Sequence, residues 1–194
     1  VLVFRKMVRF GAFISFPAML GLAFVAKEFV WILLGEKWLD SVPFLQLFCF
    51  WGAIGYLSQL YVNLLMAHSR SEVYLLGMIL IGLLQILVVW ILYPFGVFNM
   101  VIGYICVYFV SIIFWHYSVK EELPIKLISI CKDIVPYLVI SIFVFFVVDC
   151  VLRNISDVYM LLILKILFSS ALYILILLLL KSTILKEAIS YLKR

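Results

Sequence analysis

Apolar positions run along this chain in six long stretches, approximately residues 10–26, 44–66, 73–93, 97–117, 134–152 and 159–180. Each is close to the roughly 20 residues that a helix needs to cross a hydrocarbon core about 30 Å thick. The runs lack the two-residue alternation of a barrel strand. Helix is therefore the form that satisfies their backbone groups inside lipid. Gly35, Pro43, Ser69, Ser71, Pro94, Gly96, Pro124 and the polar run 153–157 all fall between them, as turn punctuation should. The first run follows Arg5, Lys6 and Arg9, as the core of a signal peptide would. It contains Pro17, however, it is too long, and five more runs follow, so it reads as an ordinary span. Residues 29–34 are expected to extend that first helix toward the outer surface. In residues 181–194, Ile184, Leu185, Ala188, Ile189 and Leu192 recur at helical spacing, predicting an amphipathic tail on the anionic cytoplasmic leaflet.

Composition turns this pattern into a class. Hydrophobic residues make up 68% of the chain, charged residues 13%, and the mean hydropathy is +1.29, which requires lipid as solvent. The expected fold is an all-α integral membrane bundle of six helices. It divides into four spans (1–117), a cytoplasmic loop (118–133), two peripheral spans (134–180) and the tail (181–194). Charge gives an orientation. With the N-terminus inside, Arg5, Lys6, Arg9, Arg70, Lys120, Lys126, Lys132, Lys181, Lys186, Lys193 and Arg194 are cytoplasmic. Only Lys27, Lys37 and Arg153 are outside, so the positive-inside rule puts both ends of the segment in the cytoplasm. Trp31, Trp38, Trp90, Tyr93, Trp115, Tyr117 and Tyr159 sit near run ends, as an interfacial belt requires. The net charge of +5 is thus a topology signal, and no solvated basic face with aromatic platforms predicts nucleic-acid binding. Cys49, Cys106, Cys131 and Cys150 are scattered, without a CxxC pair, and read as inert thiols.

Convergent catalytic groups are not evident. His68 falls in a loop and His116 at a helix end. Glu28 and Asp133 fall between runs, and Asp149 lies near a helix exit. No acid is expected in mid-span, so catalysis, a metal site and a cofactor are all unexpected. What remains is a thin polar lining. Gly52, Tyr56, Gln59 and Asn63 share a helical face, as do Asn99, Gly103 and Cys106, and Gly82 and Gln85 lie one turn apart. Each stripe serves either close helix packing or a translocation cavity, which makes Tyr56, Gln59, Asn63, Gln85 and Asn99 candidate cavity residues. Lys165 lies six residues into the last run, about 9 Å from its outer end. It is expected either to snorkel to the interface or to grip an anionic lipid-linked substrate. Pro17 removes a backbone donor within the first helix and is a candidate hinge.

Three stretches carry a family likeness: "FPAMLGLAFVAKEFVWILLGEKW", "PFLQLFCFWGAIGYLSQLYVNLLMAHSRSEVYLLG" and "YPFGVFNMVIGYICVYF". Over residues 1–120 the chain resembles the C-terminal half of bacterial polysaccharide exporters. These are the Wzx-type O-antigen and capsule flippases, and the likeness is nearest to the colanic-acid-exporter branch of the multidrug/oligosaccharidyl-lipid/polysaccharide superfamily. The resemblance implies a two-lobed fourteen-helix protein of which this chain is the last six helices, four closing the C-terminal lobe and two peripheral. It also implies a bacterial inner-membrane location and alternating-access flipping of undecaprenyl-diphosphate-linked oligosaccharide. Partners would be that lipid-linked oligosaccharide, membrane lipids and a missing N-terminal half, an expectation that fits the opening on Val1. Many relatives carry lysines early in the helix after the cytoplasmic loop, whereas residues 78–81 here are wholly apolar. Two alternatives stay open: a multidrug or organic-cation exporter of the same superfamily, and a fragment of a membrane-embedded glycosyl- or acyltransferase.

Overall fold

The computed structural model describes residues 1–155, 157–180 and 184. Their regular structure is entirely helical: α1 (Leu2–Phe24), α2 (Ala26–Leu34), α3 (Val42–Ala67), α4 (Ser71–Leu92), α5 (Val97–Ser118), α6 (Leu127–Leu152) and α7 (Val158–Leu179). Short 3₁₀ segments, Glu36–Ser41 and Tyr93–Phe95, lead into α3 and α5. Six of the helical segments are long and apolar enough to cross a membrane, and the chain is an all-α multi-pass membrane protein. Apart from Ile184, the expected amphipathic tail lies outside the described residues.

Two boundaries differ from the apolar pattern, for one reason. α1 starts at Leu2 and α6 at Leu127, both well before their apolar runs, so α6 begins inside the segment expected as loop. The extra turns are polar but mutually satisfied. Arg5 clamps Asp133 with both arms, Nε to Oδ2 at 2.6 Å and Nη2 to Oδ1 at 2.9 Å, and Arg9 Nε stands 3.2 Å from Oδ1. Hydropathy ends a helix where charges begin, but complementary charges on two packed helices let both continue. At the opposite end, Gly35 and Gly96 both take φ +89°, a conformation that L side chains rarely adopt. They fix the "LLGEKW" and "YPFG" turns.

α1 is the hub. It packs most heavily on α3 and α6 and also touches α7, while α4 joins the bundle mainly through α5. Its lower half (Phe4, Val8) shares a core with Leu57, Tyr61 and Leu65 of α3 and Ile112 and Trp115 of α5. Its upper half (Ala12, Phe16, Leu20) shares a second core with Tyr137 and Val144 of α6 and Tyr173 and Leu177 of α7. α6 and α7 are thus seated directly on α1. Gly11 lets α3 come close, because a Cβ there would collide with the Tyr56 ring.

Pro17 explains the α7 contact. A proline donates no hydrogen bond to the carbonyl four residues back, here Phe13. The Tyr173 hydroxyl of α7 donates to that carbonyl at 3.0 Å. Inside lipid a freed carbonyl needs such a substitute donor. The kink-prone point is therefore also an anchoring point.

The helix-α4 entry turn is strapped to the α5–α6 connection. Arg70 binds Glu122 at 2.6 Å and Glu121 at 3.4 Å. Its hydrogen bond holds the Glu122 carboxyl below its ordinary value of 4.5. A depressed carboxylate contributes stability above its unfolded pKa and loses it as pH falls through the lower folded value.

Two outcomes follow. Tyr173→Phe should destabilise the detergent-solubilised protein by about 1–3 kcal/mol by orphaning the Phe13 carbonyl, read by thermal unfolding. Glu122→Gln should flatten the acid limb of the stability profile, with the wild type losing stability on acidification through the carboxylate range and the variant losing less.

Candidate functional site

The strongest polar feature within the spans is built by three helices. Lys165 of α7 donates to Glu28 Oε1 of α2 at 2.8 Å, with both side chains about nine-tenths buried. Asp149 of α6 lies 3.8 Å from the same ammonium, and the Phe24 ring stands 4.5 Å from it. The geometry arises because α1 breaks at Val25, φ −99° and ψ 9°, and α2 continues alongside α7. That turns Glu28 inward at the depth of Lys165. Asp157 marks the start of α7 by accepting from the Met160 amide at 2.8 Å, which fixes how deep Lys165 sits.

This corrects two expectations. Glu28 is not a loop residue, and Lys165 does not snorkel. An unpaired lysine at the bilayer centre costs about 2.5–3.5 kcal/mol on insertion scales, so a partner at equal depth is the cheaper solution. One ammonium faces two carboxylates, Glu28 closely and the more exposed Asp149 at 3.8 Å, so little positive charge is left over in this cluster. Beside the pair lies a cavity of about 460 Å³ lined by Pro17, Phe24, Phe145, Ser169 and Tyr173, among others. It is overwhelmingly apolar. Among the described residues, the Ser169 hydroxyl and Glu28 Oε2 find no hydrogen-bond partner.

The other predicted residues do not converge on one place. Gly52 and Tyr56 face α1, where Gly52 lies against Met19 and Tyr56 against Gly11. Gln59 and Asn63, further along the expected stripe, are exposed and bond to each other, Nε2 to Oδ1 at 3.1 Å. The stripe therefore splits between a helix seam and an open face. Gln85 is half-buried and lines a cavity of about 580 Å³ with Trp90, Tyr93, Met100 and Tyr104. Asn99 donates to the Phe95 carbonyl at 2.6 Å and tightens the turn into α5, while Gly103 of the same stripe packs on Val88 and Leu92 of α4.

Sequence reasoning missed Glu28, Asp133 and the Tyr61–His116 pair, whose hydroxyl and Nδ1 lie 3.0 Å apart in the buried seam of α3 and α5. For Glu28 a signal existed. A lone lysine in a span demands an acid at matching depth, and Glu28 in the first turn of α2 and Asp149 in the last turn of α6 lie at that depth. For Tyr61 and His116 nothing in the spacing pairs residues 55 positions apart.

Residues 2–43, covering α1, α2 and the turn into α3, match the family described as "Polysaccharide biosynthesis protein". The chain is 45% identical over 69 residues to an uncharacterized membrane protein in the cps region of Klebsiella pneumoniae. It is 39% identical over 70 residues to the lipopolysaccharide biosynthesis protein WzxC of Escherichia coli (strain K12). It is 33% identical over 69 residues to the teichuronic acid biosynthesis protein TuaB of Bacillus subtilis (strain 168). Each alignment spans 36% of this chain and 14% of the relative. No solved structure matches significantly. The similarities bear out the resemblance to flippase-type proteins of polysaccharide biosynthesis. The family match includes the hub helix with Arg5, Arg9 and Pro17, and also Glu28 of α2.

The buried pair yields a sharp expectation. Lys165→Met should destabilise the protein by about 3–5 kcal/mol, because it strands Glu28 in an apolar seam. The double variant Lys165→Met/Glu28→Gln should recover much of that loss, and a thermal-unfolding double-mutant cycle measures the difference.

Proposed function

We propose that this bundle is part of a transporter that flips undecaprenyl-diphosphate-linked oligosaccharide across the bacterial inner membrane by alternating access, with both ends of the segment cytoplasmic. The observation that carries the reading is the exposed Gln59–Asn63 pair on α3. Gln59 lies eight residues before the end of α3, about 12 Å inside the helix at 1.5 Å per residue. Their mutual bond uses one donor and one acceptor, leaving the remaining amide groups facing outward. Lipid cannot satisfy these groups. Water or sugar hydroxyls can, so this face suits a hydrated cavity far better than a lipid boundary.

The Gln85 cavity adds a second surface of the same character. An amide beside Trp90, Tyr93 and Tyr104 combines apolar ring faces with a hydrogen-bonding group, a composition suited to a sugar. The Lys165 cluster leaves little positive charge over, so the diphosphate is held by other groups. The orientation rests on Arg5, Lys6, Arg9, Arg70, Lys120, Lys126 and Lys132 all gathering at the end where α1 begins. Pro17 keeps its hinge reading here, with the Tyr173–Phe13 bond as the contact that flexing breaks.

Complementation tests this directly. The full-length gene that contains this segment, expressed in a strain lacking its lipid-linked-oligosaccharide flippase, should restore surface polysaccharide. Gln59→Leu/Asn63→Leu should remove most of that polysaccharide at unchanged protein abundance. Failure of the wild type to restore any, across matched sugar types, refutes the reading.

A further inference from the structure

At the end of the bundle where α1 begins lies a cavity unlike the apolar ones. It measures about 380 Å³ and is lined by His116, Lys120, Pro124, Lys126 and Leu127, among others. Three independent features point at its contents. Lys120 and Lys126 are exposed, and among the described residues neither forms an ion pair. The carboxylates of their own connection, Glu121 and Glu122, are drawn away by Arg70. Asp133, one helix turn and more beyond, is occupied by Arg5 and Arg9. Positive charge in this cavity is therefore left uncompensated.

The second feature is the start of α6. Lys126 is the N-cap residue of this 26-residue helix, and no side chain caps its first turn, which contains no acid. The free amides and the helix dipole favour an anion there. The third feature is His116, which is only 4% exposed and lines the cavity. Its Nδ1 lies 3.0 Å from the Tyr61 hydroxyl, itself fully buried. A hydroxyl both donates and accepts, so this contact is compatible with either ring tautomer of His116. In the tautomer in which Nδ1 accepts from Tyr61, the ring proton sits on Nε2, which has no partner among the described residues. That tautomer leaves an N–H donor at the wall of a cationic cavity.

We propose that this cavity is a binding site for a phosphate group, with the Nε2 proton of His116, the ammonium groups of Lys120 and Lys126, and the first turn of α6 as its donors. Phosphate oxygens accept, while the ammonium groups, the first-turn amides and the His116 ring in its Nε2–H tautomer donate. The site lies apart from the Lys165 cluster and from the Gln59–Asn63 face, and it stands whether or not the transport reading holds. The phosphate can come from a phospholipid headgroup or from a soluble phosphate or diphosphate.

The test uses the purified protein in phosphatidylcholine nanodiscs titrated with pyrophosphate, and in parallel nanodiscs containing phosphatidylglycerol. Thermal unfolding is the readout. Stabilisation by pyrophosphate assigns a soluble source, and stabilisation by phosphatidylglycerol alone assigns a headgroup. Lys120→Gln/Lys126→Gln, a surface substitution that leaves the core intact, should weaken the effective ligand about tenfold. Tyr61→Phe, which removes the hydroxyl partner of His116 Nδ1, should weaken it severalfold with the ring packing kept. No stabilisation of the wild type by either ligand overturns the proposal. So does equal stabilisation of the lysine variant, which would trace the effect to basic residues elsewhere.

Discussion

A hydrocarbon solvent offers no hydrogen bonds, and this one constraint organises the whole chain. Any polar group at span depth must meet its partner on another helix or face a hydrated space. Because α1 carries Arg5, Arg9, Pro17 and the entry into the Glu28 helix, it is the element with the most such demands. Its neighbours are the helices that meet them. Asp133 of α6 answers the arginines, Tyr173 of α7 answers the carbonyl freed by Pro17, and Lys165 of α7 answers Glu28. Apolar packing supplies contact area along α1, but lipid tails are as apolar as leucine. The polar pairings are what choose partner and register.

The same constraint sorts the residues that could serve transport from those that hold the bundle. Lys165 looks functional in isolation, since a charge in a span usually is. Two carboxylates near it tie it to α2 and α6. Gln59 and Asn63 go the other way. They look like ordinary helix-packing residues, yet they remain exposed with hydrogen-bonding capacity to spare. The stripe from Gly52 to Asn63 illustrates the point, since its first half is consumed by α1 and its second half is not. The two ends of the bundle also differ. Acid surplus collects around Lys165, and basic surplus collects around His116, Lys120 and Lys126.

The similarity to polysaccharide-biosynthesis membrane proteins falls where these demands are densest. The family match covers residues 2–43, which hold the arginine clamp, the proline and the Glu28 turn.

Hydrophobic patterning by itself determined the number of spans, their order and the turns between them, because the length of a lipid-crossing helix leaves few alternatives. Gly35 and Gly96 marked turns at residues where the backbone does need positive φ. Charge placement put the basic residues at one end. Hydropathy could not extend α1 back to Leu2 or α6 back to Leu127, since it counts Arg5, Arg9 and Asp133 as breaks while their mutual pairing makes them helix. Nor could it place Glu28 beside Lys165, because which faces meet is decided by packing between segments more than a hundred residues apart. The sequence shows which groups need a partner in lipid. Only the tertiary structure decides which of them find one, and therefore which remain available for function.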